Sequence, residues 1–329
     1  MKGTKRIEFI DLCKGICILL VVMSHILLFY QVTEYPAKEM LTTFRMPLYF
    51  FLSGIFFKSY AVKTFLLKKV NNLLIPFLFF YVTTGLLLPQ FLFHAFGHRM
   101  EWMSSGDFYQ EMMSQYVTEA FPNISIWFLF CLFLLNLLFL LVLKVCRSLT
   151  PAVIALGLAI GCCGLYMSWA GIGLPFYLDT TFTAFPLFIV GYLLRRHSNI
   201  LQKGLPLFML PLVLLILWRF AEFTDYRTNL IPIYSAYLCA FAGISAVVCI
   251  GFWLKRLPFI SYIGRYSIIV LCTHALVYQA IHALLRLLVV THYLHVWNFS
   301  LTMLSYLIII PLFKRYLPYV TAQKPVFKT

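Results

Sequence analysis

The chain has 329 residues, of which 62% are hydrophobic and only 11% charged, and its formal net charge is +15. A soluble domain carries about 25% charged residues, so this composition, with a mean hydropathy of +0.89, excludes a soluble globular protein and indicates repeated membrane crossings. The positive charge calls for no nucleic acid as partner: membrane topology and attraction to anionic lipid headgroups account for it, and no Walker or GxGxxG fingerprint occurs.

Apolar runs place about ten spans, at 9–30, 41–57, 72–93, 124–143, 151–170, 179–194, 205–221, 230–254, 259–283 and 298–313. The expected fold is all-α and polytopic, a single domain over 1–329, with no linker, low-complexity tract or internal repeat. The first run, IDLCKGICILLVVMSHILLF, is a span rather than a cleavable leader. It outruns a short apolar core and lacks a small-residue cleavage site. It also holds Asp11, Lys14 and His25. Lys14 and His25 are eleven residues apart, about 20° from eclipse on a helix and about 16 Å apart along its axis. Asp11, three residues before Lys14, faces the same way. Ionisable groups inside a membrane are expensive, so this stripe is a functional candidate.

The second span opens with Arg45 and contains Ser53-Gly54, small residues that allow close helix packing. Lys63, Lys68 and Lys69 precede the third span and suit phosphates as point charges. The loop 94–123 mixes acids and aromatics, either covering a sugar-like ligand or lying as an amphipathic helix on the bilayer. Trp127 opens the fourth span as an interface anchor or a sugar platform. Asp179 opens the sixth, as a helix cap or as a site acid. His274 lies deep in the ninth, with an interhelical hydrogen bond as its simplest role. His94 and His98 lack the acid of an HExxH site, which excludes a zinc hydrolase, and no metal is expected. The nine cysteines show no metal spacing and read as small core residues or helix ends, not disulfides.

With the N-terminus in the cytoplasm and alternation thereafter, only Lys38, Arg45, Arg99, Arg219, Arg227 and Arg286 fall outside. The other 20 of the 26 basic residues lie inside. Of the acids, only Glu8 and Asp11 lie inside. This is a positive-inside pattern with both termini cytoplasmic.

These residues resemble the acyltransferase-3 family of integral-membrane acyltransferases along nearly the whole chain. Ile10-Asp11 through His25 is similar to the family's I-D-x-x-[RK]-G opening followed by a histidine. FRMPLYFFLSGIFF (44–57) resembles its MPLFFFLSG helix, KKVNNLLIPF (68–77) its basic run, and IWFLFCLF (126–133) its WFL helix. LPFYLDTTFTAFPLFIVGYLLRR (174–196) and YIGRYSIIVLCTHALV (262–277) resemble later helices. Two positions depart from the pattern. Arg45 stands where a histidine is frequent, and Asn72 stands where the basic run often has arginine.

The resemblance implies transfer of an acyl group, usually acetyl, from cytosolic acyl-CoA to a hydroxyl at the outer face of a bacterial plasma membrane. The implied partners are acyl-CoA, membrane lipid and a sugar, polysaccharide or lipid-linked glycan acceptor. Lys14, Lys68 and Lys69 would meet the CoA phosphates. His25 would be the general base, with a transient acyl-imidazole as a second route. Asp11 would orient Lys14, Asp179 would orient His25 or bind acceptor hydroxyls, and Arg45 and Trp127 would contact the acceptor. Two other readings stand beside this one. The first is a transporter or flippase of an envelope intermediate without acyl transfer. The second is an acyl carrier serving a separate enzyme, left open because no soluble domain is expected after the last span.

Overall fold

Inside a bilayer the backbone must satisfy its own hydrogen bonds, so apolar runs of this length become helices. The computed structural model describes residues 8–32, 35, 37–87, 124–147, 149–196, 206–289 and 292–328. The loop 94–123, with His94 and His98, lies outside the described residues.

In chain order the helices are α1 (Glu8–Phe29), α2 (Lys38–Ile55), α3 (Val62–Thr84), α4 (Trp127–Val145), α5 (Thr150–Trp169) and α6 (Leu178–Arg196). They continue with α7 (Leu210–Phe220), α8 (Ala236–Leu254), α9 (Pro258–Arg265), α10 (Ser267–Leu287) and α11 (Leu294–Tyr316). Eight of them, all but α2, α7 and α9, are long and apolar enough to cross a membrane. No strand occurs among the described residues, and the protein is an all-α polytopic membrane protein.

Several boundaries differ from the sequence expectation, each for a local reason. The third helix starts at Val62 instead of 72, so Lys63, Lys68 and Lys69 belong to it. Their apolar stems make this possible: the Lys68 Nζ stands 3.6 Å from the centre of the Tyr60 ring, and the Lys69 Nζ 5.3 Å from that of Phe65. The seventh helix is only 11 residues long. The eighth begins at Ala236, because residues 221–235 form a polar connection closed by paired backbone hydrogen bonds between Asp225 and Leu230. The ninth span is broken at Tyr266, whose backbone leaves the helical region (φ −112°, ψ 28°). The Lys314 ammonium donates to its hydroxyl at 2.8 Å.

Lipid is as apolar as a leucine side chain, so hydrophobic burial does not drive helices together. Close backbone approach through small residues does. A Cβ added at Gly54 of α2 would strike the Phe188 carbonyl oxygen of α6, and one at Gly191 of α6 would strike the Phe51 carbonyl oxygen of α2. Gly15 of α1 and Gly264 of α9 make the same kind of crossing. On α5 the buried face is Val153, Gly157, Gly161 and Gly164, while Leu158 and Trp169 point outward. All nine cysteines are free, and six of them are buried, as expected of core residues; Cys162 and Cys163 are exposed on α5.

Gly191→Val should force α2 and α6 apart. The expected loss is about 3 kcal/mol, the upper end for overpacking an interior, read as a lowered unfolding midpoint in detergent. An unchanged midpoint would show that this crossing contributes little to stability.

Candidate active site

α1 presents His25 from its C-terminal half. The N-terminal half of α2 faces it with Lys38, Thr42, Arg45 and Met46, and Trp127 at the head of α4 closes one side. The connection before α8 adds Phe223, Asp225 and Arg227. Together they line a cavity of about 330 Å³ at the end of the bundle away from Glu8. That connection is held down by α6: Thr180 Oγ1 donates to the Tyr226 carbonyl at 2.7 Å, and Thr183 Oγ1 to Asn229 Oδ1 at 2.9 Å. Asp225 shapes its own turn, accepting from the Arg227 amide at 2.9 Å and the Thr228 hydroxyl at 3.1 Å. Tyr35 also lines the cavity. Burial pushes its hydroxyl up, against the pull of the nearby Arg45 guanidinium, so it stays protonated near neutrality.

His25 is one end of a buried chain of polar groups. Its Nε2 is 3.3 Å from Ser125 Oγ, and Ser125 Oγ is 3.0 Å from His274 Nε2. The Nδ1 of His274 lies 3.0 Å from the carbonyl oxygens of both Val270 and Leu271. Proton positions follow from matching donors to acceptors. Carbonyls only accept, so Nδ1 of His274 carries the hydrogen and, in the neutral ring, Nε2 accepts. The Ser125 hydroxyl donates to it. Ser125 Oγ then offers only lone pairs to His25, so the His25 Nε2 carries a hydrogen and its Nδ1 keeps a lone pair. His274 is fully buried, and the two imidazole centres stand 5.2 Å apart.

At the other end of α1, cations gather where α2 stops. The Lys14 Nζ lies 4.2 Å from the centre of the Phe56 ring, and the Lys69 Nζ 5.8 Å from that of Phe57. Arg195 Nη1 donates to the carbonyls of Ile55 at 3.0 Å and Phe57 at 3.1 Å. The first is a carbonyl that the helix end leaves without an intrahelical partner, and the second belongs to the turn just beyond it. Lys68 points to Tyr60 on the flank of this group. Asp11 lines a different hollow, with Glu8, Arg256, Ser261 and Arg265 against α9.

The structure thus brings His25, Arg45 and Trp127 to one cavity, and Lys14 and Lys69 to one end of α2. Trp127 is only 5% exposed and leans on Tyr177, with ring centres 5.3 Å apart. Tyr177 and Phe176 hold left-handed backbone angles (φ 59° and 61°), which ordinary side chains rarely adopt. Asp179 is not brought to the cavity. It is buried at the head of α6, where backbone amides of Thr180 and Leu174 face its carboxyl, as in a helix cap. Asp11 is about 21 Å from His25 along α1. Sequence reasoning missed Ser125, Lys38, Asp225, Arg227 and Arg195 as site residues. The polar string Asp225 to Asn229 between two apolar runs is the available signal for the loop pair; Ser125 carries none. Among the described residues no group of three or more His, Cys, Asp or Glu side chains could hold a metal ion.

Fold and cavity together define an integral-membrane protein with a buried, histidine-ended polar chain opening at one side of the bundle. A family model described as an acyltransferase domain matches residues 7–314, nearly the whole chain, and the chain belongs to this acyltransferase-3 family. It is therefore a membrane acyltransferase by family. No curated protein and no solved structure matches it.

Proposed function

We propose that the protein is an acyl-CoA-dependent O-acyltransferase of the bacterial plasma membrane. It transfers acetyl from cytosolic acetyl-CoA to a sugar hydroxyl of a surface polysaccharide, glycolipid or lipid-linked precursor. The observation that carries this reading is the His25–Ser125–His274 chain ending in the cavity; with donors matched to acceptors, the Nδ1 of His25 is its one ring-nitrogen lone pair not engaged within the chain. A hydroxyl is a poor nucleophile until a base takes its proton, and a neutral imidazole suits that task. As the oxygen attacks the thioester carbonyl, its proton passes to His25. Collapse of the tetrahedral intermediate expels CoA thiolate, which takes up that proton in turn.

The donor enters from the end of α2. Lys14 and Lys69 flank the Phe56-Phe57 pair there, and Arg195 sits on the same helix end. Lys68 stands beside them. Lysines at this position act as point charges toward the CoA phosphates. The pantetheine arm then runs along α1 toward His25, about 16 Å away by helical rise.

The test uses purified protein in liposomes, radiolabelled acetyl-CoA and an envelope extract as acceptor, following both label transfer and CoA release. Wild type should turn over. Lys14→Ala should weaken acetyl-CoA binding roughly tenfold, the scale of one charge-assisted contact. A wild-type protein that neither binds acetyl-CoA nor releases CoA would end the enzymatic reading in favour of a transporter. Unchanged binding by Lys14→Ala would move the phosphate site elsewhere.

A further inference from the structure

Among the described residues that line the cavity, three side chains are cationic (Lys38, Arg45 and Arg227), against a single acid, Asp225. This is half of the six basic residues that charge placement assigns to the outer side, gathered around one small space. The Asp225 carboxylate already accepts from the Arg227 amide and the Thr228 hydroxyl. Arg45 is the notable member. Its Nη1 is buried and has no hydrogen-bond partner among the described residues. A buried guanidinium donor left without a partner is costly, and its planar fork matches a carboxylate or phosphate. His25 lines the same cavity, which at about 330 Å³ lies at the small end of ligand sites.

We infer that the acceptor is anionic: the cavity takes a glycan whose acylated hydroxyl stands beside a carboxylate or phosphate, which Arg45 binds with Lys38 and Arg227 supporting it. This rests on reading the cavity as the acceptor site of an acyltransferase. Arg45 here binds substrate and sets its position relative to His25. It takes no part in proton transfer.

The experiment lets the native acceptor identify itself. Wild-type protein in liposomes transfers label from acetyl-CoA into an envelope extract, which is then separated by anion exchange. The same extract is also used after chemical reduction of carboxyls and, separately, after cleavage of phosphates by hydrogen fluoride. Label should enter an anionic glycan fraction. Its loss after carboxyl reduction identifies a carboxylate, and its loss after phosphate cleavage identifies a phosphate. With that labelled fraction as acceptor, Arg45→Gln should raise the half-saturating concentration roughly 10- to 100-fold with turnover changed less than about threefold, and Arg45→Lys should fall between. Label in a neutral glycan, or label indifferent to both treatments, overturns the inference and leaves acyl transfer standing. So does an Arg45→Gln protein that loses turnover at unchanged half-saturation, since the arginine would then serve the reacting oxyanion. The fractionation needs no variant, so it decides the question even where Arg45→Gln does not fold. Absence of label in every fraction, with no CoA released, brings down the acyl-transfer reading itself and this inference with it.

Discussion

Replacing His25 by alanine should lower acetyl turnover about 10³-fold, within the range of ~10²–10⁴ that a positioned general base supplies. Acetyl-CoA binding should not change, because Lys14 and Lys69, the lysines proposed to meet its phosphates, stand by the opposite end of α1. His25→Gln makes the comparison sharper. Glutamine can keep a donor toward Ser125 and fill similar space, yet it has no basic lone pair. It should be as inactive as alanine while unfolding near the wild-type temperature. Turnover within tenfold of wild type in either variant would place the base on another group. Recovery of label on the protein itself, lost in both variants, would redirect the mechanism to an acyl-imidazole on His25.

The second large effect concerns Ser125, which touches His25 and His274 but is separated from both by 100 residues or more. In this arrangement Ser125 is a positioning residue. It transmits the tautomer of His274, pinned by two backbone carbonyls, to His25. Without the hydroxyl, the His25 ring can carry its hydrogen on either nitrogen and can rotate. Ser125→Ala should therefore reduce turnover about 10- to 100-fold, below the loss from removing the base itself, with half-saturating acceptor and acetyl-CoA concentrations unchanged. Ser125→Thr keeps the hydroxyl and should restore most of the activity. His274→Ala combined with Ser125→Ala should cost little more than either alone, because both break one chain and such neighbours are not additive. Multiplicative losses in the double variant, or no rescue by threonine, would reduce Ser125 to a packing residue.

Part of the site is legible in the amino-acid sequence alone. The register of Lys14 and His25 needs only helical rise and the rule that a membrane segment is a helix, and α1 runs from Glu8 to Phe29 through both. Arg45 and Trp127 are visible as a charge and an aromatic at span ends, and both line the cavity. Asp179 has the same visibility and stands apart from it, because an acid opening a helix has a local use for its carboxyl as a cap. The Lys14 ammonium lies over Phe56 at the end of α2, and Asp11 lines the hollow against α9; neither neighbour is visible in the spacing of the two residues. Spacing states which way a residue points from its own helix and says nothing of what stands opposite.

Composition and hydropathy by themselves determined the class. So polar-poor a chain must bury its backbone in helices, and its charge asymmetry suggests an orientation. The opening motif and the ordered set of later helix strings together pointed to the family, which the match over residues 7–314 shows. Only the tertiary structure decided which partners meet His25. In a soluble protein the apolar stripe of a helix marks its buried face, but here the lipid-facing and core-facing sides are both apolar, so that signal is absent. What separates them is the fit of small residues, such as Gly54 against Phe188 and Gly191 against Phe51, across helices distant in the chain. Those crossings hold α2 against α6, as Gly15 and Gly264 hold α1 against α9, in a fold that brings Ser125 and His274 to the His25 imidazole and sets Arg45 and Arg227 in the same cavity. Local sequence carries no record of that meeting, because each contact is made by residues whose neighbours in the chain do not differ from ordinary membrane helix or loop.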